Sequence, residues 1–160
     1  IGEEGRGFRY ILDGMNAERT LIAGESLGDA RYFLRRATDY ACEREIFGGP
    51  IGRNQGIQFP LARAHAETEA AELMARKAAA LFDAGRPCGA EANMAKLLCG
   101  DAAWHAAEAC MQTFGGFAFA REYDIERKWR EARLYLTAPV STNLILGFIG
   151  LHVMGLPKSY

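Results

Sequence analysis

The feature that most constrains the fold is a long run near the start of the chain in which apolar side chains recur every three or four residues. That spacing is the period of an α-helix with one buried face, whereas a half-buried strand alternates every second residue. Charged residues such as Arg36 and Glu43 fall on another side of the same helix. The sequence therefore predicts an amphipathic helix over residues 7–44, with a candidate break at Asp13-Gly14. Its apolar face comprises Ile22, Leu27, Ala30, Phe33, Leu34, Ala37, Tyr40 and Ala41.

Glycine and proline residues divide the remaining chain into further helical segments. Gly85 and Pro87, for example, end the second segment in the order that helix C-termini prefer. Strand-like alternation is absent from the sequence, so no sheet is predicted. Together these segments predict an all-α fold, an up-and-down four-helix bundle with an additional C-terminal helix. The later predicted helices cover residues 55 or 60 to 84, 90–114, 125–135 and 141–154.

Charge and cysteine usage exclude several classes of protein. The 160 residues carry a net charge of -1, so no basic field favours nucleic acid or an anionic membrane. The longest apolar run, residues 144–155, is shorter than the ~20 residues that span a bilayer, and we expect a buried helix there. The four cysteines form no CxxC pair, and no signal sequence is evident. We therefore expect reduced thiols and a cytoplasmic protein.

Metal chemistry and nucleophilic catalysis find little support in the sequence. A di-iron site in a helix bundle needs Glu-x-x-His on two helices. The residue three positions before each of His65, His105 and His152 is apolar, so no metal site is predicted. The cysteines have no histidine at a meaningful spacing, which predicts buried, inert thiols.

A Gly/Pro corner between the first two helices carries a distinctive set of side chains. Arg44 and Phe47 precede the Gly-Gly-Pro sequence, and Gln55 follows it. A guanidinium, an aromatic ring and an amide at one corner suit a ligand with phosphates and a flat ring system. Ordinary helix capping is the alternative interpretation of this corner.

Two further polar clusters lie at predicted helix ends. Gln112 is followed by Gly115-Gly116, and glycines permit close approach of a ligand to the backbone. Glu18 stands beside Arg19 where the long amphipathic pattern begins. A glycine C-cap and an acid near a helix N-terminus are the corresponding structural interpretations.

Taken in order, these motifs resemble one family, the C-terminal helical domain of acyl-CoA dehydrogenases. The sequence Arg44-Glu-Ile-Phe-Gly with Gln55 is similar to the family's Arg-x-x-Phe-Gly and Gln signature. Gln112-Thr-Phe-Gly-Gly resembles its Gln-x-x-Gly-Gly element, and Arg130-Glu-Ala-Arg resembles its Arg-Asp-Ala-(Lys/Arg) element. The resemblance covers residues 1–160 and implies that the family's N-terminal helical and middle β domains lie outside this chain.

The resemblance implies an FAD-dependent enzyme that oxidises an acyl-CoA thioester to the trans-2-enoyl-CoA. It also implies a homodimer or homotetramer that passes electrons to an electron-transfer flavoprotein. By the same match Arg44 would bind the FAD pyrophosphate, and Phe47 and Gln55 would line the adenosine end. The other residues implied to contact FAD are Gln112, Gly115, Gly116, Ser141 and Asn143.

The expected catalytic base departs from the commoner family pattern. Many members carry a Glu in the loop after the Arg-Asp-Ala element, but here that position is Pro139, which cannot accept a proton. A second group, including isovaleryl and long-chain types, carries the Glu on the first long helix directly before an Arg. Glu18 and Arg19 match that arrangement, so we predict Glu18 as the base and Arg19 as the residue that orients it. The residues predicted beside the acyl chain are Asn16, Ala138 and Val140, together with Arg19.

Two alternatives to a dehydrogenase stay open at this point. The missing loop Glu, together with Ala118 where a third glycine often stands, leaves room for an acyl-CoA oxidase. The bundle could also be a non-catalytic module that supports oligomerisation and cofactor binding. We expect the 160-residue chain alone to bind FAD weakly or not at all and to show no turnover.

Overall fold

The computed structural model describes residues 2–158, and its regular structure is helical. Within that range no strand forms, and only an isolated bridge joins Glu45 and Pro50. The prediction of an all-α chain is confirmed. The five α-helices are α1 (Gly7–Glu43), α2 (Gln55–Asp83), α3 (Gly89–Phe114), α4 (Ile125–Ala132) and α5 (Thr142–Phe148). Short 3-10 turns cover Ile51–Arg53, Gly115–Phe119, Arg121–Tyr123 and Arg133–Leu136, and a π-helical turn covers Ile149–Val153.

Helices α1 and α3 run parallel to each other. Asn16 near the start of α1 lies beside Gly89 at the start of α3. At their other ends the rings of Tyr40 and Phe114 stack with centroids 4.1 Å apart. These two pairs fix the relative direction of the longest helices.

Helices α2 and α4 run in the opposite direction, which completes the predicted up-and-down bundle. In α2, Lys77 pairs with Glu91 near the start of α3, whereas the earlier Glu67 pairs with His105. The ends of α4 are tied to α1 by its flanking residues. Before α4, the carbonyl of Tyr123 accepts from Arg36, and after α4 the hydroxyl of Tyr135 donates to Asp29.

Small side chains dominate the packed interior. Ala71 and Ala78 of α2 are fully buried, as are Ala95 and Ala103 of α3. Because a methyl group adds little radius to a helix, alanine faces allow neighbouring axes to approach closely. Larger buried residues such as Phe33 fill the half of the bundle that leads to the end of α3.

The helices differ from the sequence prediction at Asp13-Gly14 and in the fourth and last helices. The candidate break at Asp13-Gly14 does not occur, and α1 is continuous there. Helix α2 begins at Gln55, the earlier of the two predicted starts, and contains Pro60. Gly56, whose carbonyl loses its helical partner to this proline, is exposed. The predicted fourth helix ends early as a 3-10 turn, and the last one continues as a π-helical turn. The expectation that this last helix is buried is wrong, because Leu144, Leu146 and Met154 are exposed and only Ile145 packs inside. No helix among residues 2–158 is long and apolar enough to cross a membrane.

Candidate functional site

A tight hairpin follows α1 and carries the predicted cofactor residues Arg44 and Phe47. The amide of Ile51 donates to the carbonyl of Arg44 at 2.8 Å, and the amide of Ile46 donates to the carbonyl of Gly49 at 3.0 Å. The guanidinium of Arg53 donates to the carbonyl of Phe47 at 3.1 Å. The missing side chain of Gly52 lets this segment touch the Ala41 carbonyl of α1, 2.9 Å from where a Cβ would stand. The corner is therefore a rigid extension of α1.

Phe47 adopts a conformation that bulky residues avoid. Its φ is 52°, in the left-handed region, and its side chain is 96% exposed. A bulky residue in this region is a genuine outlier, and such strain persists mainly at binding and catalytic sites. The hairpin thus presents an uncovered aromatic ring at the end of the bundle.

Two of the predicted cofactor motifs meet in one cleft. Arg44, Gly115 and Gly116 line a cleft of about 490 Å³ between the hairpin and the end of α3. The Arg44 guanidinium lies over the ring of Phe117, 5.6 Å from its centroid, and forms no ion pair with a carboxylate of residues 2–158. Gly115 has a φ of 58°, a conformation that favours glycine. The cleft therefore combines an available cation, aromatic surface and exposed backbone.

The other predicted cofactor residues are spread more widely. Gln112 is exposed and lines a neighbouring cleft of about 460 Å³ between α2 and α3. Gln55 is exposed as the first residue of α2. Ser141 caps α5 by accepting from the Leu144 amide at 3.5 Å, and the exposed Asn143 lines a separate cleft beside that helix. Their cofactor roles stay predictions.

Glu18 lies in the exposed part of α1 and forms no hydrogen bond or ion pair within residues 2–158. Asp29 lies eleven residues later, which is three helical turns, so both occupy one face of α1. Asp29 contacts the Lys128 ammonium at 2.6 Å and the Tyr135 hydroxyl at 3.1 Å. Glu18 therefore shares the face of α1 that is turned towards α4 and the segment after it.

Arg19 points away from solvent, unlike its neighbour. Its side chain is 6% exposed, and its Nη1 donates to the Asn16 amide oxygen at 3.1 Å. Its Nε has no partner within residues 2–158. Burial lowers the pKa of this guanidinium, and the charge of Glu18 opposes that effect. The hydrogen-bond partner of Arg19 is thus Asn16, and its relation to Glu18 is one of charge alone.

The segment that carries Ala138 and Val140 is tied to α3 by a lysine that the sequence analysis missed. Ala138 and Val140 are half-buried. The Nζ of Lys96 donates to the carbonyl of Val140 at 2.8 Å, and the Thr142 hydroxyl donates to the Leu136 carbonyl at 3.2 Å. A sequence signal did exist, because Asp101, His105, Glu108 and Gln112 recur at helical spacing as a polar stripe of α3, and Lys96 lies off that stripe.

The predicted inert thiols divide into two groups. Cys88, Cys99 and Cys110 are buried, as expected, but Cys42 is exposed near the end of α1. Burial raises the pKa of both Cys99 and Cys110 to about 12. The prediction of burial is wrong for Cys42, because its position falls beyond the apolar face of α1. Among residues 2–158 no group of His, Cys, Asp and Glu is arranged to hold a metal ion.

Comparison with known proteins identifies the family. Residues 5–139 match the family model of the acyl-CoA dehydrogenase C-terminal domain. The acyl-CoA dehydrogenase fadE12 of Mycobacterium bovis is 38% identical, over 100% of this chain and 42% of its own length. The structure of a glutaryl-coenzyme A dehydrogenase–glutaryl-CoA complex has a TM-score of 0.93 and 35% identity, over 99% of this chain and 40% of that chain. A structure of PigA with FAD and proline has a TM-score of 0.92 and 26% identity, over 98% of this chain and 40% of that one.

The chain belongs to the acyl-CoA dehydrogenase family and corresponds to its C-terminal helical domain, as the motifs had indicated. It spans less than half of the length of the curated relatives that it matches. The activity, substrates and partners of the whole protein are therefore matters for proposal.

Proposed function

We propose that this chain is part of an FAD-dependent acyl-CoA dehydrogenase that converts an acyl-CoA thioester to the 2-enoyl-CoA. The observation that carries the proposal is the meeting of Arg44 with Gly115 and Gly116 in one cleft. These residues belong to separate motifs far apart in the sequence, and both motifs were assigned to the same cofactor. The names of the relatives, and FAD in the structure of PigA, add support.

The residues of this corner fit the chemistry of FAD. The Arg44 guanidinium is a planar fork suited to a pyrophosphate, and it has no competing carboxylate within residues 2–158. The exposed ring of Phe47 offers a flat apolar surface, and Gly115-Gly116 admits a ligand against the backbone. Gln55 and Gln112 add amide groups on the neighbouring helix ends. Bound there, FAD would supply the hydride acceptor of the reaction.

The geometry of α1 indicates that a complete active site needs two copies of the chain. Glu18 lies in α1 and Arg44 directly follows the last residue of that helix, so at 1.5 Å per residue they are roughly 40 Å apart. That separation exceeds the reach of an extended dinucleotide. The FAD corner of one subunit therefore serves the base of another subunit, which favours a homodimer or a tetramer built from dimers.

Glu18 removes the α-proton of the thioester in this proposal. That proton is weakly acidic, so the carboxylate gains basicity when the rest of the subunit covers it and removes water. Arg19, the buried residue next to Glu18 in the sequence, orients it. Ala138 and Val140 lie along the acyl chain, and Asn16 supports the guanidinium of Arg19. An electron-transfer flavoprotein then reoxidises the enzyme.

The test uses the complete parent protein. The flavin absorbance should bleach when an acyl-CoA is added under anaerobic conditions, and Glu18→Gln should slow that bleaching by about 10³-fold or more while flavin stays bound. Near-normal bleaching by Glu18→Gln removes Glu18 from the role. A protein that binds flavin but does not bleach with any acyl-CoA supports the non-catalytic alternative. Oxygen consumption by the reduced enzyme identifies an oxidase.

A further inference from the structure

Lys96 is among the most completely buried side chains of the domain. It lies in α3 with 1% of its surface exposed, yet it ends in an ammonium group. Its hydrogen bond runs from Nζ to the backbone carbonyl of Val140 at 2.8 Å. A lysine at such a position is rare, because the charge must be removed from water.

No carboxylate of residues 2–158 forms an ion pair with this ammonium. Burial lowers the pKa of Lys96, and the nearest opposing charge, that of Asp101, only partly offsets this effect. A leucine or methionine would fill the same volume without that cost. The carbonyl of Val140 is thus the specific contact that the lysine makes and an apolar side chain could not.

The stretch between α4 and α5, which contains Val140, contacts α3 at a second point, one helical turn beyond Lys96. Gly100 faces the Tyr135 carbonyl, which lies 3.3 Å from where a Cβ would stand. Contact that close leaves little room for a side chain. Lys96 and Gly100 therefore hold the two ends of the stretch that contains Ala138.

We propose that Lys96 is a positioning residue that fixes the segment 137–141 against α3, so that the backbone at Ala138 and Val140 stays in register with Glu18. This inference rests on the proposed function, because the segment matters only if the acyl chain lies along it. Glu18 lies on the same helical face as Asp29, which accepts a hydrogen bond from Tyr135 just before this segment. A shift of about 1 Å in the segment would misalign the α-carbon and the carboxylate, and such misplacement is costly to rate.

The experiment compares three variants of the complete enzyme. Lys96→Met keeps the length of the side chain and removes the hydrogen bond. Gly100→Ala disturbs the same segment without changing a charge, so it also serves if Lys96→Met fails to fold. Cys99→Ala is the matched control, because Cys99 is buried on α3 but its thiol contacts the Ala71 carbonyl of α2 at 3.5 Å.

Three readouts separate positioning from general stability. They are amide hydrogen exchange of residues 137–141, kcat/KM per bound flavin, and the kinetic isotope effect with an α-deuterated acyl-CoA. We expect Lys96→Met to speed exchange in the segment, to lower kcat/KM about tenfold or more, and to raise the isotope effect. Gly100→Ala should change the three in the same direction. Cys99→Ala should lower thermal stability and leave all three readouts unchanged.

The outcomes distinguish this inference from the proposed function. If Lys96→Met loses only thermal stability and flavin content, as a core variant does, the positioning role is overturned. If wild-type enzyme fails to bleach with acyl-CoA, the proposed function is wrong, and hydrogen exchange alone then shows whether Lys96 holds the segment. If hydrogen exchange of residues 137–141 is unchanged in both Lys96→Met and Gly100→Ala, then Lys96 does not hold this segment against α3.

Discussion

Two buried cations, Arg19 and Lys96, lie near the end of the bundle that carries Glu18. Each bonds to a neutral oxygen, the amide of Asn16 and the carbonyl of Val140 respectively. Neither forms an ion pair with a carboxylate of residues 2–158, which makes both costly to the isolated fold. Their retention is consistent with the positioning roles proposed for them beside Glu18.

The charge of Lys96 should leave a signature in the pH dependence of stability. Its pKa in the folded protein is lowered by burial, so the folded state binds its proton less tightly than the unfolded state does. Below the lowered pKa the folded state bears the full cost of the buried charge. As pH rises from there towards the ordinary lysine value of about 10.5, the cost disappears and stability rises.

Urea unfolding of wild type and Lys96→Met across the alkaline range isolates this effect from other titrating groups. We expect the stability of wild type to increase relative to Lys96→Met as the pH is raised. A constant difference between the two proteins would mean that Lys96 has its ordinary pKa.

Thiol reactivity should follow burial rather than sequence context. Cys42 is exposed, whereas burial raises the pKa of Cys99 and Cys110 to about 12. At pH 8 a thiol reagent should therefore modify Cys42 within seconds to minutes and leave Cys99 and Cys110 unmodified until the protein unfolds. Mass spectrometry of the labelled peptides measures each site. Early labelling of Cys99 would show that α2 and α3 separate readily.

At the scale of single elements, the hairpin at the end of α1 contrasts with the helices around it. The helices follow the apolar periodicity of the sequence, so their existence and order could be predicted. The left-handed conformation of Phe47 could not, because it is imposed by the hairpin bonds and by Arg53. The endings of α4 and α5 were also missed, since the turn at Tyr135 depends on contacts with α1 and α3.

Strain at Phe47 predicts a conflict between stability and cofactor binding. Phe47→Gly should relieve the left-handed strain and stabilise the domain by about 1 kcal/mol. The same change removes the exposed ring, so FAD should dissociate more readily from the complete enzyme. Phe47→Ala is the matched control, because it removes the ring but keeps the strained Cβ. Thermal unfolding of the apoprotein and titration with FAD measure the two effects.

Phe47→Ala should therefore lose FAD affinity without gaining stability. If both variants bind FAD as wild type does, the ring has no cofactor role, and the strain needs another explanation.

At the scale of the whole molecule, the length of α1 decides how the site is assembled. The sequence indicated both the FAD corner and Glu18 through their motifs. Their separation is set by the continuous part of α1 between them. Lys96 was missed because its burial on α3 depends on where the segment after α4 returns. Motifs made of neighbouring residues in the sequence could thus be predicted, whereas contacts between distant segments of the folded chain could not.

A site shared between subunits predicts complementation between two inactive variants. Arg44→Ala should impair the FAD corner, and Glu18→Gln should remove the base, so each homodimer has no intact site. In a mixed dimer, the Arg44→Ala subunit supplies Glu18 and the Glu18→Gln subunit supplies Arg44, so one of the two sites is complete. After the two proteins are unfolded together in equal amounts and refolded, half of the dimers are mixed. About a quarter of all sites should then be active.

The measurement is turnover per flavin site after equal mixing, compared with each variant refolded alone. If one subunit supplied both Arg44 and Glu18 to a site, every subunit in the mixture would carry one defect, and mixing could not restore activity. Activity that remains at the average of the two parents would therefore contradict a site shared between two subunits. Recovery to about a quarter of wild-type activity would mean that Glu18 of one subunit acts with Arg44 of the other.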